Sequence, residues 1–250
     1  MKSSWYLGLG LSLAVLLTGC SSGGGGGSDD DDATKDSPDS TAKAGLYLGE
    51  IVQGQNSADS TLLLSVDADG TARIIEEASG TYAKGNLQFS ETGSFEGSIE
   101  EFVAGELAES GTIKGTSTTN SFSGTSFDDA GTQFNSFQFD RVPQLSDLST
   151  STAKVQGNWA SDDTTIAIDS AGAFSGGDGN CNIAGQLAVP DKSINLYDLT
   201  FNLSGGAACE HPGAYDGFAY YAPASGSDPI QLVFLADNND FSRKEVFVKQ

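Results

Sequence analysis

Two cysteines and the only histidine are the residues of this chain best suited to bond chemistry or metal binding. Cys181, Cys209 and His211 supply three potential ligands, but a closed zinc site normally needs a further ligand and tight CxxC-type spacing. If the chain is exported and Cys20 is modified, the remaining pair of cysteines instead favours a disulfide. It would close a loop of roughly 28 residues and contribute on the order of 3 to 4 kcal/mol. The sequence therefore predicts a Cys181–Cys209 disulfide, with no metal and no cofactor.

Patterns that indicate catalysis are weak in this sequence. Ser-His-Asp chemistry needs a histidine that carries a proton, and His211 stands beside Pro212 in a chain without a Gly-x-Ser-x-Gly motif. A glycosidase needs two carboxylates in one cleft, but most aspartates here occur in turn sequences, where they satisfy local backbone N–H groups. The turn aspartates are Asp67, Asp69, Asp128, Asp129, Asp162, Asp163, Asp237 and Asp240. We expect a protein that is not an enzyme, with a carbohydrate-active enzyme as the catalytic alternative.

The densest aromatic cluster is a candidate contact surface for a partner or ligand. It consists of Tyr215, Phe218, Tyr220 and Tyr221. Strand alternation places Phe218 and Tyr220 on one face and Tyr221 on the other. If exposed, these rings would stack on a sugar or anchor a protein partner. If one face points inward, the rings fill the core and the tyrosine hydroxyls lie at its rim.

Composition argues against nucleic-acid partners and favours β structure. The formal net charge is -22, which repels phosphate backbones, so we expect no nucleic-acid partner. Glycine occurs 32 times, and Ser, Thr, Gly and Asp separate short apolar segments. These residues are typical of short strands and turns rather than of helices.

A hairpin pattern occurs twice along the chain. The turn Asp67-Ala68-Asp69-Gly70 separates apolar segments at 61–66 and 72–75, and Asp169-Ser170-Ala171-Gly172 separates 165–168 from 173–174. The offset of roughly 105 to 110 residues indicates a diverged internal duplication. Asp67-x-Asp69-Gly70 also resembles the start of an EF-hand loop, but the required glutamate is missing. We therefore interpret it as an Asp-Gly hairpin turn.

These patterns predict an all-β protein with two tandem small antiparallel β-barrels or sandwiches, each of seven or eight strands, that arose by duplication. The predicted domains are 45–142 and 155–250, joined by a linker at 143–154 that contains Pro143 and a Ser/Thr-rich stretch. Strands are also predicted at 94–102, 111–116, 121–127, 134–141, 194–203, 217–221, 230–236 and 245–249. The folded part resembles small lipocalin-like β-barrel domains.

The N-terminal segment has the form of a bacterial lipoprotein signal peptide. Lys2 supplies a positive charge, Trp5–Leu17 is an apolar region too short to remain as a membrane span, and Leu17-Thr18-Gly19-Cys20 matches the lipoprotein cleavage site. The resemblance implies that residues 1–19 are removed and that Cys20 carries the lipid, with palmitate as an expected acyl group. Ser21, rather than aspartate, after the cysteine implies the outer membrane of a Gram-negative envelope.

Residues 20–44 are rich in glycine and aspartate, and their composition predicts a disordered tether. The tether is similar to those of surface-displayed lipoproteins such as factor H-binding protein and the transferrin-binding lipoproteins. Together with the fold, it predicts a lipid-anchored cell-envelope protein that acts as a non-enzymatic binding or structural module at the outer membrane. Its expected partners are the membrane, through the anchor, and a protein or glycan.

The alternative function is that of a periplasmic carrier that holds a small hydrophobic ligand in a barrel cavity. A carrier would need an enclosed apolar cavity of roughly several hundred cubic ångströms. The sequence leaves open which face of the outer membrane the domains occupy.

Overall fold

A computed structural model describes residues 44–54, 61–76 and 81–250 of the chain. The predicted signal peptide, Cys20 and residues 21–43 of the predicted tether lie outside the described residues. Almost all regular structure is β-sheet, arranged as two closed antiparallel barrels of eight strands each. The prediction of an all-β fold with two small barrels is therefore confirmed, and barrels rather than sandwiches are formed.

The first barrel is an up-and-down meander in which each strand pairs with its neighbour in sequence and the first pairs with the last. Its strands are β1 (Gly45–Gly54), β2 (Leu62–Val66), β3 (Thr71–Glu76), β4 (Tyr82–Phe89), β5 (Ser94–Val103), β6 (Glu106–Ser117), β7 (Ser121–Asp128) and β8 (Gln133–Arg141). Alternate residues point inward, and aromatic rings fill much of the core. Phe122 lies at its centre, with its ring centroid 4.9 Å from that of Tyr47 and 5.5 Å from that of Phe95.

The second barrel repeats this topology. Its strands are β9 (Gly157–Ala160), β10 (Thr165–Ile168), β11 (Ala173–Gly177), β12 (Cys181–Ala188), β13 (Tyr197–Gly205), β14 (Gly213–Ala222), β15 (Gln231–Asp237) and β16 (Ser242–Lys249). Leu199, Phe201 and Leu203 share the inward face of β13. The strand predicted at 194–203 begins only at Tyr197, because Ile194 and Leu196 pack outside the barrel.

One end of each barrel is closed by buried side chains and is called the plugged end below. The one-turn helices α1 (Pro143–Ser146) and α2 (Thr152–Val155) lie in the segment predicted as a linker. The Val155 carbonyl of α2 accepts the indole N–H of the fully buried Trp159 at 2.7 Å. At the equivalent end of the first barrel, the Arg141 guanidinium donates to the Tyr47 hydroxyl at 3.1 Å. In the described part of the chain, no helix is long and apolar enough to cross a bilayer.

The repeated Asp-x-x-Gly turns have the same structure in both barrels. The Asp67 carboxylate accepts the N–H of Thr71 at 2.8 Å, and that of Asp169 accepts the N–H of Ala173 at 2.9 Å. The last turn residues, Gly70 and Gly172, have φ values of 91° and 89°, which only glycine adopts without strain. These aspartates therefore act as caps of hairpin turns, and the equivalence supports the predicted duplication.

The two barrels pack side by side through an apolar cluster that lies outside both barrel interiors. The first barrel contributes Leu46, Leu63, Ile75, Tyr82 and Phe102, and the second contributes Ile194, Leu196, Phe218, Tyr220, Val233 and Leu235. Strands β2 and β15 are consequently buried on both faces. A buried Leu or Phe side chain contributes about 1.5 to 3 kcal/mol relative to an exposed one, so this interface stabilises both barrels substantially.

A charged cluster crosses the same interface. Asp237 at the end of β15 has no solvent exposure, and its carboxylate accepts the Tyr82 hydroxyl at 2.8 Å and the Lys84 ammonium at 3.0 Å. Beside it, the Arg73 guanidinium lies 3.3 Å from the Asp216 carboxylate. Burial raises the pKa of the Tyr82 hydroxyl well above its ordinary value, so this group remains a hydrogen-bond donor. Two cations of the first barrel thus meet two aspartates of the second.

Hydrogen bonds at both ends of the barrels fix the direction of one barrel relative to the other. At the unplugged ends, the Leu107 N–H donates to the Asp240 carbonyl and the Ser242 N–H donates to the Gly105 carbonyl. At the plugged ends, the Asn195 side-chain amide donates to the Leu145 carbonyl of α1 at 2.9 Å. Because like ends contact like ends, the two open mouths lie next to each other on one side of the protein.

The charged cluster yields a prediction about stability. Replacing Asp237 by Asn removes the closer counter-ion of the half-buried Lys84 ammonium and leaves it only Asp216 at 3.8 Å, and we expect a loss of roughly 2 kcal/mol in the free energy of unfolding. The double variant Lys84→Met with Asp237→Asn should lose less free energy of unfolding than the sum of the losses of the two single variants. The reason is that each single change leaves the other residue without its closest ionic partner.

Urea denaturation monitored by circular dichroism measures these differences. The matched control is Asp240→Asn, since Asp240 is exposed in the adjacent loop. Equal, small effects of Asp237→Asn and Asp240→Asn would show that the charged cluster does not hold the barrels together.

Candidate functional site at the open end of the second barrel

The open end of the second barrel holds a cavity of about 310 Å³. Its floor is apolar and includes the inward side chains of Ile183, Leu203, Phe234 and Phe247. Its rim is polar and comes from the loops at this end and from the start of β16. The polar rim residues are Thr164, Asp178, Asn180, Glu210, Arg243 and Glu245. The site is therefore a cavity with an apolar floor and a charged rim.

The predicted disulfide is formed and lies at this rim. The sulfur atoms of Cys181 and Cys209 are 2.04 Å apart, and the bond joins the start of β12 to the loop between β13 and β14. Because the two sulfur atoms are bonded to each other, neither cysteine offers a thiolate to a metal. The disulfide instead holds in place the loop that carries Ala208 and Glu210 to the cavity.

Arg243 is fixed against the wall of the cavity. Its guanidinium donates to the Glu210 carbonyl at 2.6 Å and lies 5.6 Å from the ring centroid of Tyr215 and 5.4 Å from that of Phe241. Its Nε atom is buried without a hydrogen-bond partner. The positive charge of Arg243 is thus already engaged with a carbonyl and two aromatic faces.

Glu245 points into the cavity one inward position further along β16. Burial is the main cause that raises the pKa of its carboxyl group, and the nearby carboxylates of Asp178 and Asp162 act in the same direction. A hydrogen bond with Ser161 and the charge of Arg243 oppose this shift without cancelling it. The mouth therefore contains a carboxylate that has lost much of its hydration.

His211 lies beside the cavity, between the two open ends. Its ring stacks on Phe241 with the centroids 3.8 Å apart, and its carbonyl accepts the Tyr215 hydroxyl at 2.7 Å. Phe241 in turn covers Gly105, where a Cβ atom would lie 2.4 Å from the phenyl ring. His211 thus packs in the contact between the barrel mouths, and it is not among the residues that line the cavity.

The open end of the first barrel differs from that of the second. Its cavity is only about 110 Å³, and the lining includes the carboxylates Glu76, Glu101 and Glu109 above an apolar interior. Burial, followed by the charges of Glu109 and Glu76, raises the pKa of Glu101. The phenylalanine-rich core leaves this barrel less free volume than the second.

The aromatic residues singled out from the sequence are distributed between two apolar clusters. Tyr215 belongs to the interior of the second barrel, and Tyr221 packs against that interior from a half-buried position. Phe218 and Tyr220 point the other way, into the interface between the barrels. Their opposite faces follow the expected alternation, but Tyr215, Phe218 and Tyr220 are buried and present no stacking surface to a partner.

Arg243 and Glu245 were not identified from the sequence as site residues. The signal was available in the alternation of β16, because a strand that turns Phe247 inward must also turn Glu245 and Arg243 inward. Two charged residues at inward positions indicate a barrel end that is open to solvent rather than filled. The predicted lipidation residue Cys20 lies outside the described residues.

No protein-family model, no curated protein and no solved structure matches this chain. The function is therefore inferred from the geometry of the barrels and of the cavity.

The environment of Glu245 predicts a pH-dependent stability difference. A carboxyl group with a raised folded-state pKa stabilises the fold below its unfolded pKa and loses this contribution as the pH rises through the folded pKa. Glu245→Gln avoids that loss. Its melting temperature should match that of the unchanged protein near pH 4 and exceed it increasingly towards neutral pH.

Thermal unfolding followed by circular dichroism between about pH 4 and pH 8 measures this difference. Glu96→Gln, at an exposed position of the first barrel, removes the same charge and serves as the control. A Glu245→Gln variant that is less stable than the unchanged protein at neutral pH would contradict the assignment.

Proposed function

We propose that this protein is a lipid-anchored, non-enzymatic binding module of the bacterial cell envelope, and that its ligand site is the open mouth of the second barrel. The observation that carries the proposal is the cavity of about 310 Å³ with an apolar floor and a charged rim. Pockets for small molecules measure about 300 to 1,000 Å³. The second cavity reaches this range, whereas the cavity of about 110 Å³ in the first barrel does not.

The described lining of the cavity argues against catalysis by a thiolate or by a Ser-His-Asp arrangement, whereas its carboxylates Asp178, Glu210 and Glu245 are of the type that a glycosidase uses. Among the described residues that line it, Cys181 is oxidised and Arg243 is held by a carbonyl and aromatic rings. The histidine that a Ser-His-Asp arrangement would need is stacked on Phe241 outside the cavity. A concave site that combines an apolar floor with convergent polar groups is suited to small-molecule binding. This favours the alternative of a small-ligand carrier over a module that recognises a glycan through exposed aromatic rings.

The position of the N-terminus fits an anchored binding module. The described chain begins at the plugged end of the first barrel, where the Ala44 carbonyl accepts the Arg141 guanidinium at 3.0 Å. Ala44, the first described residue, therefore lies at the end of the first barrel that is opposite to its open mouth. The outer membrane, on either its periplasmic or its external side, remains the proposed location.

Binding to the second mouth is tested with N-phenyl-1-naphthylamine, an uncharged dye that becomes fluorescent in apolar surroundings. We expect saturable binding to the unchanged protein. Ala208→Trp places a bulky side chain on an exposed rim residue of the cavity and should weaken binding at least about tenfold. Thr164→Trp, on a different rim loop, should act in the same way.

The matched control is Ala207→Trp, because Ala207 is exposed next to Ala208 but does not line the cavity. Absence of dye binding to the unchanged protein, or equal binding by the Ala207 and Ala208 variants, would refute the site.

The anchor is tested by Cys20→Ser. We expect the unchanged protein to incorporate labelled palmitate and to sediment with membranes, and the variant to do neither, because a serine cannot form the thioether bond to the lipid. Ser21→Ala is the control and should leave labelling intact. Membrane association of Cys20→Ser equal to that of the unchanged protein would show that the anchor is wrongly assigned.

A further inference from the structure

The charge distribution around the second mouth specifies the class of ligand, provided that this mouth is the ligand site of the proposed function. Three carboxylates, those of Asp178, Glu210 and Glu245, line the cavity, against the single cation Arg243. The whole chain carries a formal net charge of -22, which raises the local concentration of cations and lowers that of anions. The electrostatic field at the entrance therefore favours a positively charged ligand.

Arg243 does not reverse this preference. Its guanidinium donates to the Glu210 carbonyl and lies over the rings of Tyr215 and Phe241, which holds it at the wall. Its unpaired Nε atom is buried and has no access to a group that enters from solvent. An anionic ligand would have to compete with these partners while it approaches three carboxylates.

Glu245 is placed to receive a cation. Its carboxyl group is largely removed from water, so it gains more from a charge-assisted hydrogen bond than an exposed carboxylate does. Behind it, Phe234, Phe247 and Leu203 form an apolar surface that a hydrocarbon group would cover. The Glu245 carboxyl group and this apolar surface lie in one cavity. Together they favour a molecule that has both a cationic group and a hydrocarbon part.

We propose that the second mouth binds a small organic ammonium ion, with the ammonium group on Glu245 and a hydrocarbon part of roughly the size of a phenylalkyl group on the apolar floor.

The test uses three probes of matched shape that differ in charge: 4-phenylbutylamine, 4-phenylbutanol and 4-phenylbutyrate. Isothermal titration calorimetry with the Cys20→Ser chain should show the amine binding at least about tenfold more tightly than the alcohol, and the carboxylate most weakly. Glu245→Gln should weaken amine binding about tenfold and alcohol binding by no more than about twofold, because only the amine loses a charge-assisted hydrogen bond. Glu96→Gln removes an equal charge far from the cavity and should alter neither.

The outcomes separate this inference from the proposed function. Equal affinities for the three probes, or tightest binding of the carboxylate, would overturn the ammonium assignment and leave the ligand site standing. Binding of the naphthylamine dye without binding of the amine would also overturn it. If neither the dye nor any of the three probes binds, the ligand site itself falls together with the assignment.

Discussion

The interface between the barrels depends on a buried carboxylate. Asp237 is fully buried, and its carboxylate accepts hydrogen bonds from Tyr82 and Lys84 of the other barrel and from the N–H of Asn239 in its own. An isolated buried charge is costly in free energy. Separating the barrels would therefore either leave this carboxylate without its donors from the other barrel or require water to enter the interface. The apolar cluster around it contributes the larger attraction, and the charged contacts fix the register at which the two surfaces meet. The direction of both barrels, and hence the neighbouring position of their mouths, follows from this register.

Two barrels of one topology have acquired different interiors. Aromatic rings fill the first barrel, where Phe122 is in contact with Tyr47, Phe89 and Phe95, and only about 110 Å³ is left near its mouth. In the second barrel, Arg243 and Glu245 occupy the inward positions of β16 near the mouth, and about 310 Å³ remains. A duplicated fold can keep one copy as a packed support while the other copy retains space for a ligand. The interface then holds the copy with the larger cavity in a fixed orientation.

Much of the fold was predictable because period-two alternation and Asp-Gly turns are local signals. The strand predicted at 165–168 and the alternation of Phe218 and Tyr221 match the structure. The interface was missed, although continuous apolar runs such as Leu62-Leu63-Leu64 and Leu232-Val233-Phe234-Leu235-Ala236 indicate strands buried on both faces. The partners of Asp237 could not be predicted, because they lie about 150 residues away in sequence and meet only through the packing of two closed barrels.

Differential scanning calorimetry of residues 20–250 with Cys20→Ser tests most directly whether the barrels form one cooperative unit. If the buried interface joins them, the protein unfolds in a single transition whose calorimetric and van't Hoff enthalpies agree. Two resolved transitions would show that the barrels unfold independently. A van't Hoff enthalpy of about half the calorimetric enthalpy would show the same. In that case the common direction of the two mouths would no longer follow from the structure.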